Sequence, residues 1–152
     1  MRTPLYKSGN PCYGRSTIEK DNPLEFEEIE GWDEFTIKTA RLDDLKVENI
    51  GFIKIDVEGH EQAVLKGGLL TIQKNKPAFL IEANNSHSKE AVEKLFHWAK
   101  TNAYLVFFMA EEKILPSSKY DIPYHHDQKQ LENFILIHES DADRLQKLTD
   151  IS

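Results

Sequence analysis

The sequence predicts an α/β fold on a mostly parallel sheet with right-handed crossovers, and three observations lead there. Short, largely apolar runs recur at Phe52–Val57, Ala78–Glu82 and Tyr104–Met109. Amphipathic helical segments separate them: Val64, Leu65, Leu69 and Ile72 share a stripe between Glu61 and Lys74, and Val92, Leu95, Phe96 and Ala99 share another. Strands that alternate with helices pair in parallel, because each helix carries the chain back across the sheet. A length of 152 residues suits one domain, and 39% hydrophobic with 30% charged residues is the balance of a globular chain.

Residues 1–34 read as an N-terminal loop or partly disordered segment. Gly9, Asn10, Pro11, Gly14 and Pro23 are turn formers. The acidic run Glu25, Glu27, Glu28 and Glu30 reads as a solvated face rather than a cation site. The main unit then occupies 35–152. Its first strand is expected at Phe35 to Leu42, where apolar and polar residues alternate, and Asp43 is placed to cap a short helix. Phe52 to Val57 is the strongest strand, apolar enough to be central, parallel and buried on both faces. Lys54 within it must pair or reach the sheet end. Glu58-Gly59 breaks the strand and one helix follows from Glu61 to Lys74. Gly67-Gly68 weakens that helix by about 1 kcal/mol per glycine, which a close helix–sheet contact would explain. Lys76-Pro77 ends it. Ser86 or Ser88 can cap the next helix. Beyond Met109 a polar loop runs from Ala110 to Gln130, then a last strand from Asn133 to His138 and a closing helix from Asp141 to Leu148.

Composition excludes some functions. A net charge of −7 without a Lys/Arg cluster gives no attraction for phosphate backbones, so no nucleic acid is expected as partner. Cys12 is the only cysteine, which rules out an internal disulfide and a Cys-x-x-Cys metal site. The polar start Met1-Arg2-Thr3-Pro4 has no apolar stretch of signal length. No run approaches the roughly 18 apolar residues of a membrane span. The expectation is a cytoplasmic chain without a membrane span.

Ligands of open α/β sheets bind outside the carboxyl ends of the strands. That rule selects Asp56, Glu58 and His60 after one strand, and Glu82, Asn84 and Asn85 after the next. A carboxylate there can orient a ligand amine, hold a metal or take a proton. Each also has a plainer role. Asp56 can cap the following helix, Glu58 and Glu61 can answer the helix dipole, and His60 can start the helix at the surface. Asp56, Glu58, His60 and Glu61 are acceptable metal ligands, but their spacing matches no established zinc or calcium loop, so no metal is assigned. His125-His126 reads either as a lid or as an exposed loop. His87, His97 and His138 have no partner visible in the sequence. Ser or Cys nucleophile motifs, a P-loop and GxGxxG are absent.

Thr39-Ala40-Arg41-Leu42-Asp43-Asp44-Leu45, Ile53-Lys54-Ile55-Asp56-Val57-Glu58-Gly59-His60-Glu61, Val64-Leu65-Lys66-Gly67, Lys76-Pro77 and Ile81-Glu82 together resemble the FkbM methyltransferase domain. The run from Ile53 to Gly67 is the specific part. The likeness is close over roughly residues 35 to 85 and continues to about 140 by element order. It implies a Rossmann-like class I methyltransferase fold, truncated, with residues 52–57 as the fourth strand and an antiparallel last strand. It also implies transfer of a methyl group from S-adenosylmethionine to a hydroxyl of a small molecule, sugar or lipid. Asp56 would face the transfer centre with Glu58 and His60 as the other catalytic candidates. The family's glycine-rich turn and the acidic residue after its second strand are not found, so cofactor-binding residues are unassigned. The chain is therefore expected to be a C-terminal half (35–152), completed by a missing N-terminal half or by a homo-oligomer. Two alternatives stand beside this: a non-catalytic remnant that binds a partner protein, and a metal-dependent hydrolase using Asp56, Glu58 and His60.

Overall fold

The computed structural model describes residues 1–18 and 29–149; Glu25, Glu27 and Glu28 of the acidic run lie outside them. The N-terminal segment, expected as loop, contains two strands. β1 (Arg2–Tyr6) pairs antiparallel with β2 (Ile29–Glu34), with Pro4 opposite Trp32. Proline demotes a strand reading, yet it is tolerated in a two-stranded ribbon where its missing N–H faces outward. The Arg2 guanidinium lies 4.7 Å from the Trp32 ring centre across this pair. Conversely, the strand expected at Phe35–Leu42 is not formed. Phe35 N–H still bonds the Met1 carbonyl, but Phe35 and Ile37 are exposed and the chain beyond makes no ladder. Alternation alone does not make a strand when no partner lies alongside.

The main sheet contains β3 (Phe52–Ile55), β4 (Ala78–Glu82), β5 (Tyr104–Ala110), β6 (Lys113–Pro116) and β7 (Asn133–His138), in the order β3-β4-β7-β5-β6. Only β3–β4 is a parallel pair; β4–β7, β7–β5 and β5–β6 are antiparallel. The mostly parallel sheet is thus corrected. The last strand runs antiparallel as expected, but it inserts between β4 and β5 and so replaces one parallel pairing by two antiparallel ones. β6 adds a hairpin inside the stretch expected as loop.

Helices α1 (Glu61–Gly67), α2 (Leu69–Asn75) and α3 (Ala91–Thr101) follow, and α4 (Ala142–Thr149) closes the chain. The single helix expected over 61–74 is two. At the break, a Cβ on Gly68 would lie 2.9 Å from Leu42 Cδ2, so the glycine admits the 42–45 turn rather than the sheet. Asp43 caps the second piece, its Oδ1 accepting Thr71 N–H at 2.9 Å.

Leu65, Ile72, Val92, Leu95 and Ala99 from α1, α2 and α3 join Ile55, Phe79, Ile81, Val106, Phe108, Phe134 and Leu136 in one core. The Phe79 ring meets Trp98 and Tyr104 edge-on at 6.0 and 5.3 Å. Complete burial of Phe108 and Phe134 contributes about 1.5–3 kcal/mol each. The core residues alternate along the strands, so this is one face of the sheet. On the other face Phe52 is 58% and Met109 61% exposed, and Lys54 is exposed as well. β3 is therefore covered on one side only, which corrects the expectation of burial on both. Its continuous apolar run misleads because Phe52 contributes to no core. Among the described residues no helix is long and apolar enough to cross a membrane.

Candidate functional site

The carboxyl ends of β3 and β4 border a cavity of about 510 Å³. The loop after β3 gives it Glu58. Glu82 ends β4, and Asn84, Ser86 and His87 follow. Residues 126–132 close the opposite wall through His126, Asp127, Gln130 and Glu132, and Arg15 reaches in from the N-terminal segment.

The turn that carries Glu58 is unusual in its backbone. Glu58 has φ 51° and Gly59 φ 97°, two left-handed residues in succession. A Cβ on Gly59 would stand 2.9 Å from the His87 carbonyl oxygen, so only glycine lets the two loops cross this closely. A non-glycine residue in the left-handed region stores about 1–2 kcal/mol. Two bonds hold the geometry: Thr17 Oγ1 donates to the Glu58 carbonyl at 2.9 Å, and Gly59 N–H donates to Glu61 Oε1 at 2.9 Å. Glu61 therefore serves the turn, as an almost buried acceptor at the start of α1.

Glu58 and His87 form a pair in which Oε2 lies 3.0 Å from Nδ1, with the side chains 12% and 14% exposed. Burial raises the Glu58 carboxyl above the ordinary glutamate range; the negative charge of Asp56 adds to this and Arg15 opposes it. Glu82 is raised in the same way, by burial first and then by Asp56 and Glu58. These carboxylates repel one another, so the cavity disfavours anions and accepts neutral or cationic groups.

His126 is buried. Its Nε2 accepts Asn85 N–H at 3.1 Å and its Nδ1 lies 2.8 Å from Asp127 Oδ1. The bare nitrogen must be Nε2, because it faces a donor. Asn85 in turn accepts Val92 N–H at 3.0 Å, and Asn84 Nδ2 donates to Glu132 Oε1 at 2.7 Å. His125 stacks on Tyr120 at 5.3 Å and meets Phe108 at 5.0 Å. The two histidines are thus neither a detached lid nor an exposed loop; they tie a wall of the cavity to the loop after β4 and to the core.

Of the residues expected from the sequence, Glu58, Glu82 and Asn84 line this cavity, and Asn85 anchors it from behind. Asp56 stands at its edge, with Lys54 Nζ 2.8 Å from its Oδ2; this hydrogen bond and charge raise the lysine pKa. His60 belongs elsewhere. It lines a second cavity of about 540 Å³ between α1 and residues 39–45. Among the described residues no group of three or more His, Cys, Asp or Glu is arranged to hold a metal ion. The residues that sequence reasoning passed over, Arg15, His87, Asp127, Gln130 and Glu132, are polar loop residues with no local signal. They meet only because β7 returns beside β4 and the ribbon folds back to the β3 loop.

The methyltransferase FkbM domain matches residues 5–130, well over half the chain. The chain belongs to the FkbM methyltransferase family. The mixed α/β fold with its five-stranded sheet is compatible with a methyltransferase-like fold. The family match begins at Leu5, inside the ribbon, so it does not support assigning the chain to a C-terminal half alone, and the likeness extends beyond residues 35–85. No curated protein and no solved structure matches the chain. S-adenosylmethionine is the usual methyl donor of methyltransferases, and the Glu58 cavity does not suit its adenosine. None of the cavity's lining side chains is aliphatic and its only rings are imidazoles. A purine needs an apolar slot, so these residues do not fit the adenosine of the cofactor. They fit a small hydroxylated molecule, which exchanges hydrogen bonds with carboxylates, amides and imidazoles.

Proposed function

We propose that this FkbM-family chain acts in methyl transfer from S-adenosylmethionine to a hydroxyl group of a small molecule, sugar or lipid, and that the cavity after β3 and β4 receives the acceptor. The observation that carries the reading is the Glu58 turn. Two left-handed residues, a crossing that only glycine permits and a largely covered carboxylate all occur where an α/β sheet gathers its ligands. Glu58 acts from inside the cavity and Asp56 from its rim, both aligning the acceptor hydroxyl. Alignment is most of what a methyl transfer asks of its protein, since the methyl carbon must meet the oxygen in line. His60 lies on the far side of the turn and takes no part at the acceptor.

The donor is held by residues outside the Glu58 cavity, with a second copy or a further half of the enzyme completing its site. The outer edge of β3, which pairs only with β4 among the described residues, and the half-uncovered sheet face beside it support this arrangement. The same features favour the second reading, a partner-binding chain without activity of its own. Calorimetric titration of S-adenosylmethionine into the full chain, repeated across protein concentration with a thermal melt, tests both. Saturable binding that strengthens with protein concentration is expected. A folded chain that binds no cofactor at any concentration removes the reading in which copies of this chain suffice, and leaves a further half or the partner-binding reading.

A further inference from the structure

His126 is the buried fastening between the 126–132 wall and the loop after β4, and we propose that it is a proton-operated latch: neutral, it closes that wall of the cavity, and protonated, it releases it. The latch rests on the acceptor reading only for what the cavity takes in; its own operation needs neither donor nor acceptor.

Both ring nitrogens are engaged. Nε2 accepts Asn85 N–H at 3.1 Å, so Nε2 is bare and the ring hydrogen sits on Nδ1, 2.8 Å from Asp127 Oδ1. That arrangement holds for the neutral ring alone. An imidazolium carries hydrogen on both nitrogens, so its Nε2–H meets Asn85 N–H and two donors face each other. The Asp127 bond survives, because a carboxylate accepts from either form. Protonation thus breaks the link between two loops and keeps the one within a single turn.

The surroundings decide what moves. Asn85 stays with α3, since its Oδ1 accepts Val92 N–H at 3.0 Å and its Nδ2 lies 3.3 Å from Glu93 Oε2. The far end of the wall is held as well: Ala83 N–H donates to the Glu132 carbonyl at 2.8 Å, and Asn84 Nδ2 to Glu132 Oε1 at 2.7 Å. His125 remains packed on Tyr120 and Phe108. Residues 126–130 lie between these fixed ends, and the Asn85–His126 bond fastens them to the loop after β4.

Charge draws the proton in. Asp127 touches Nδ1, while Glu82 and His87 from the loop after β4, Glu58 from the loop after β3 and Glu132 beside β7 line the same cavity. Arg15 brings a fixed positive charge there, and Glu93 lies behind Asn85. Carboxylates outnumber cations around the cavity even with His87 charged, so an imidazolium at 126 is attracted rather than repelled. The released form holds one proton more than the latched form. Falling pH therefore shifts the population toward release, and rising pH restores the latch.

NMR on the full chain, without donor or acceptor, tests this between about pH 8 and pH 5, the span in which an imidazole changes charge. Near the alkaline end the His126 ring, assigned through His126→Gln, is expected to show hydrogen on Nδ1 and a bare Nε2. As the ring protonates, exchange protection of the Asn85 amide, corrected for the intrinsic pH dependence of exchange, should fall roughly tenfold, the effect of losing one hydrogen bond. Protection of the Ala83 amide, on the Glu132 tie, should stay constant. His126→Gln offers an amide oxygen near the place of Nε2 and does not titrate, so its Asn85 protection should be the same at both ends. A native ring with hydrogen on Nε2 at the alkaline end overturns the latch. So does Asn85 protection that ignores the charge on His126, or a ring that stays neutral to the acid end. A fall that persists in folded His126→Gln assigns the response to the neighbouring carboxylates and overturns the role of His126. If the variant does not fold, the native series decides alone. None of these outcomes depends on methyl transfer, so failure of the methyltransferase reading leaves the latch standing.

Discussion

The Asp56–Glu61 turn separates two cavities of nearly equal size and opposite character. On one side, about 510 Å³ is lined by acids, amides, imidazoles and Arg15; on the other, about 540 Å³ is lined largely by Ile18, Ala40, Leu42, Leu45, Ala63 and Val64, with His60 at its edge. Glu58 and His60 are two positions apart and belong to different cavities. The left-handed pair Glu58-Gly59 reverses the chain between them, so neighbours in sequence leave the turn in different directions. Their joint selection as one site assumed a backbone that runs on smoothly, which the crossing beneath His87 forbids.

The strongest way to break this contrast is Gly59→Ala. The added Cβ meets the His87 carbonyl and the residue is strained at φ 97°. A loss of about 3 kcal/mol is expected, visible as a melting temperature lower by roughly 10 °C. The nitrogen shifts of His87 should change with it, since its 3.0 Å approach to Glu58 depends on the same crossing. An unchanged melt would show that the loops do not cross as described. Gly68→Ala probes the other cavity. Its Cβ meets Leu42 Cδ2, a side chain that can yield, so about 1 kcal/mol is expected, with no effect on His87. If the His87 signals move as much as in Gly59→Ala, the two cavities are coupled rather than divided.

Glu82→Gln sharpens the contrast through pH. Burial first, and then Asp56 and Glu58, hold the Glu82 carboxyl above its ordinary value in the folded chain. A carboxyl raised on folding contributes stability that is full below its unfolded value and is lost as pH rises through the folded one. Glu82→Gln should therefore melt a few degrees above native protein at pH 7, and the gain should vanish below about pH 3.5, where Glu82 is protonated in both states. A destabilised variant at pH 7 would mean that Glu82 is held by attraction, not strained by its neighbours. The smallest effect is expected for Lys54→Met. The Lys54–Asp56 bridge is exposed, and exposed bridges contribute little to stability. Its melting temperature should stay within error of native; a clear drop would place Asp56 inside the strained cluster instead of at its rim.

Much of the element pattern was legible in the chain itself. The strands at Ala78–Glu82 and Asn133–His138 occur where expected. The stripe Val92, Leu95 and Ala99 is buried as a helix face. The strand-end rule led to Glu58, Glu82 and Asn84, which line one cavity, because that rule depends only on where a parallel β-α-β unit stops, and β3-α1-α2-β4 is such a unit. The ribbon was missed because Pro4 hides β1 and its partner lies more than twenty residues away; the Phe35–Leu42 strand was over-read because alternation records a preference and not a neighbour.

Local pattern by itself determined the strands at Ala78–Glu82 and Asn133–His138, the buried helix face of Val92, Leu95 and Ala99, and the break after β3 at Glu58-Gly59. Periodicity and turn residues act over a few positions, so the sequence displays them directly. Tertiary structure alone decided that β7 enters between β4 and β5, that one sheet face stays half-covered, and that Arg15, Glu58, His87 and His126 share a cavity while His60 does not. Those outcomes depend on which distant segments come together. Loop crossings set by a single glycine contact leave no periodic trace in the chain.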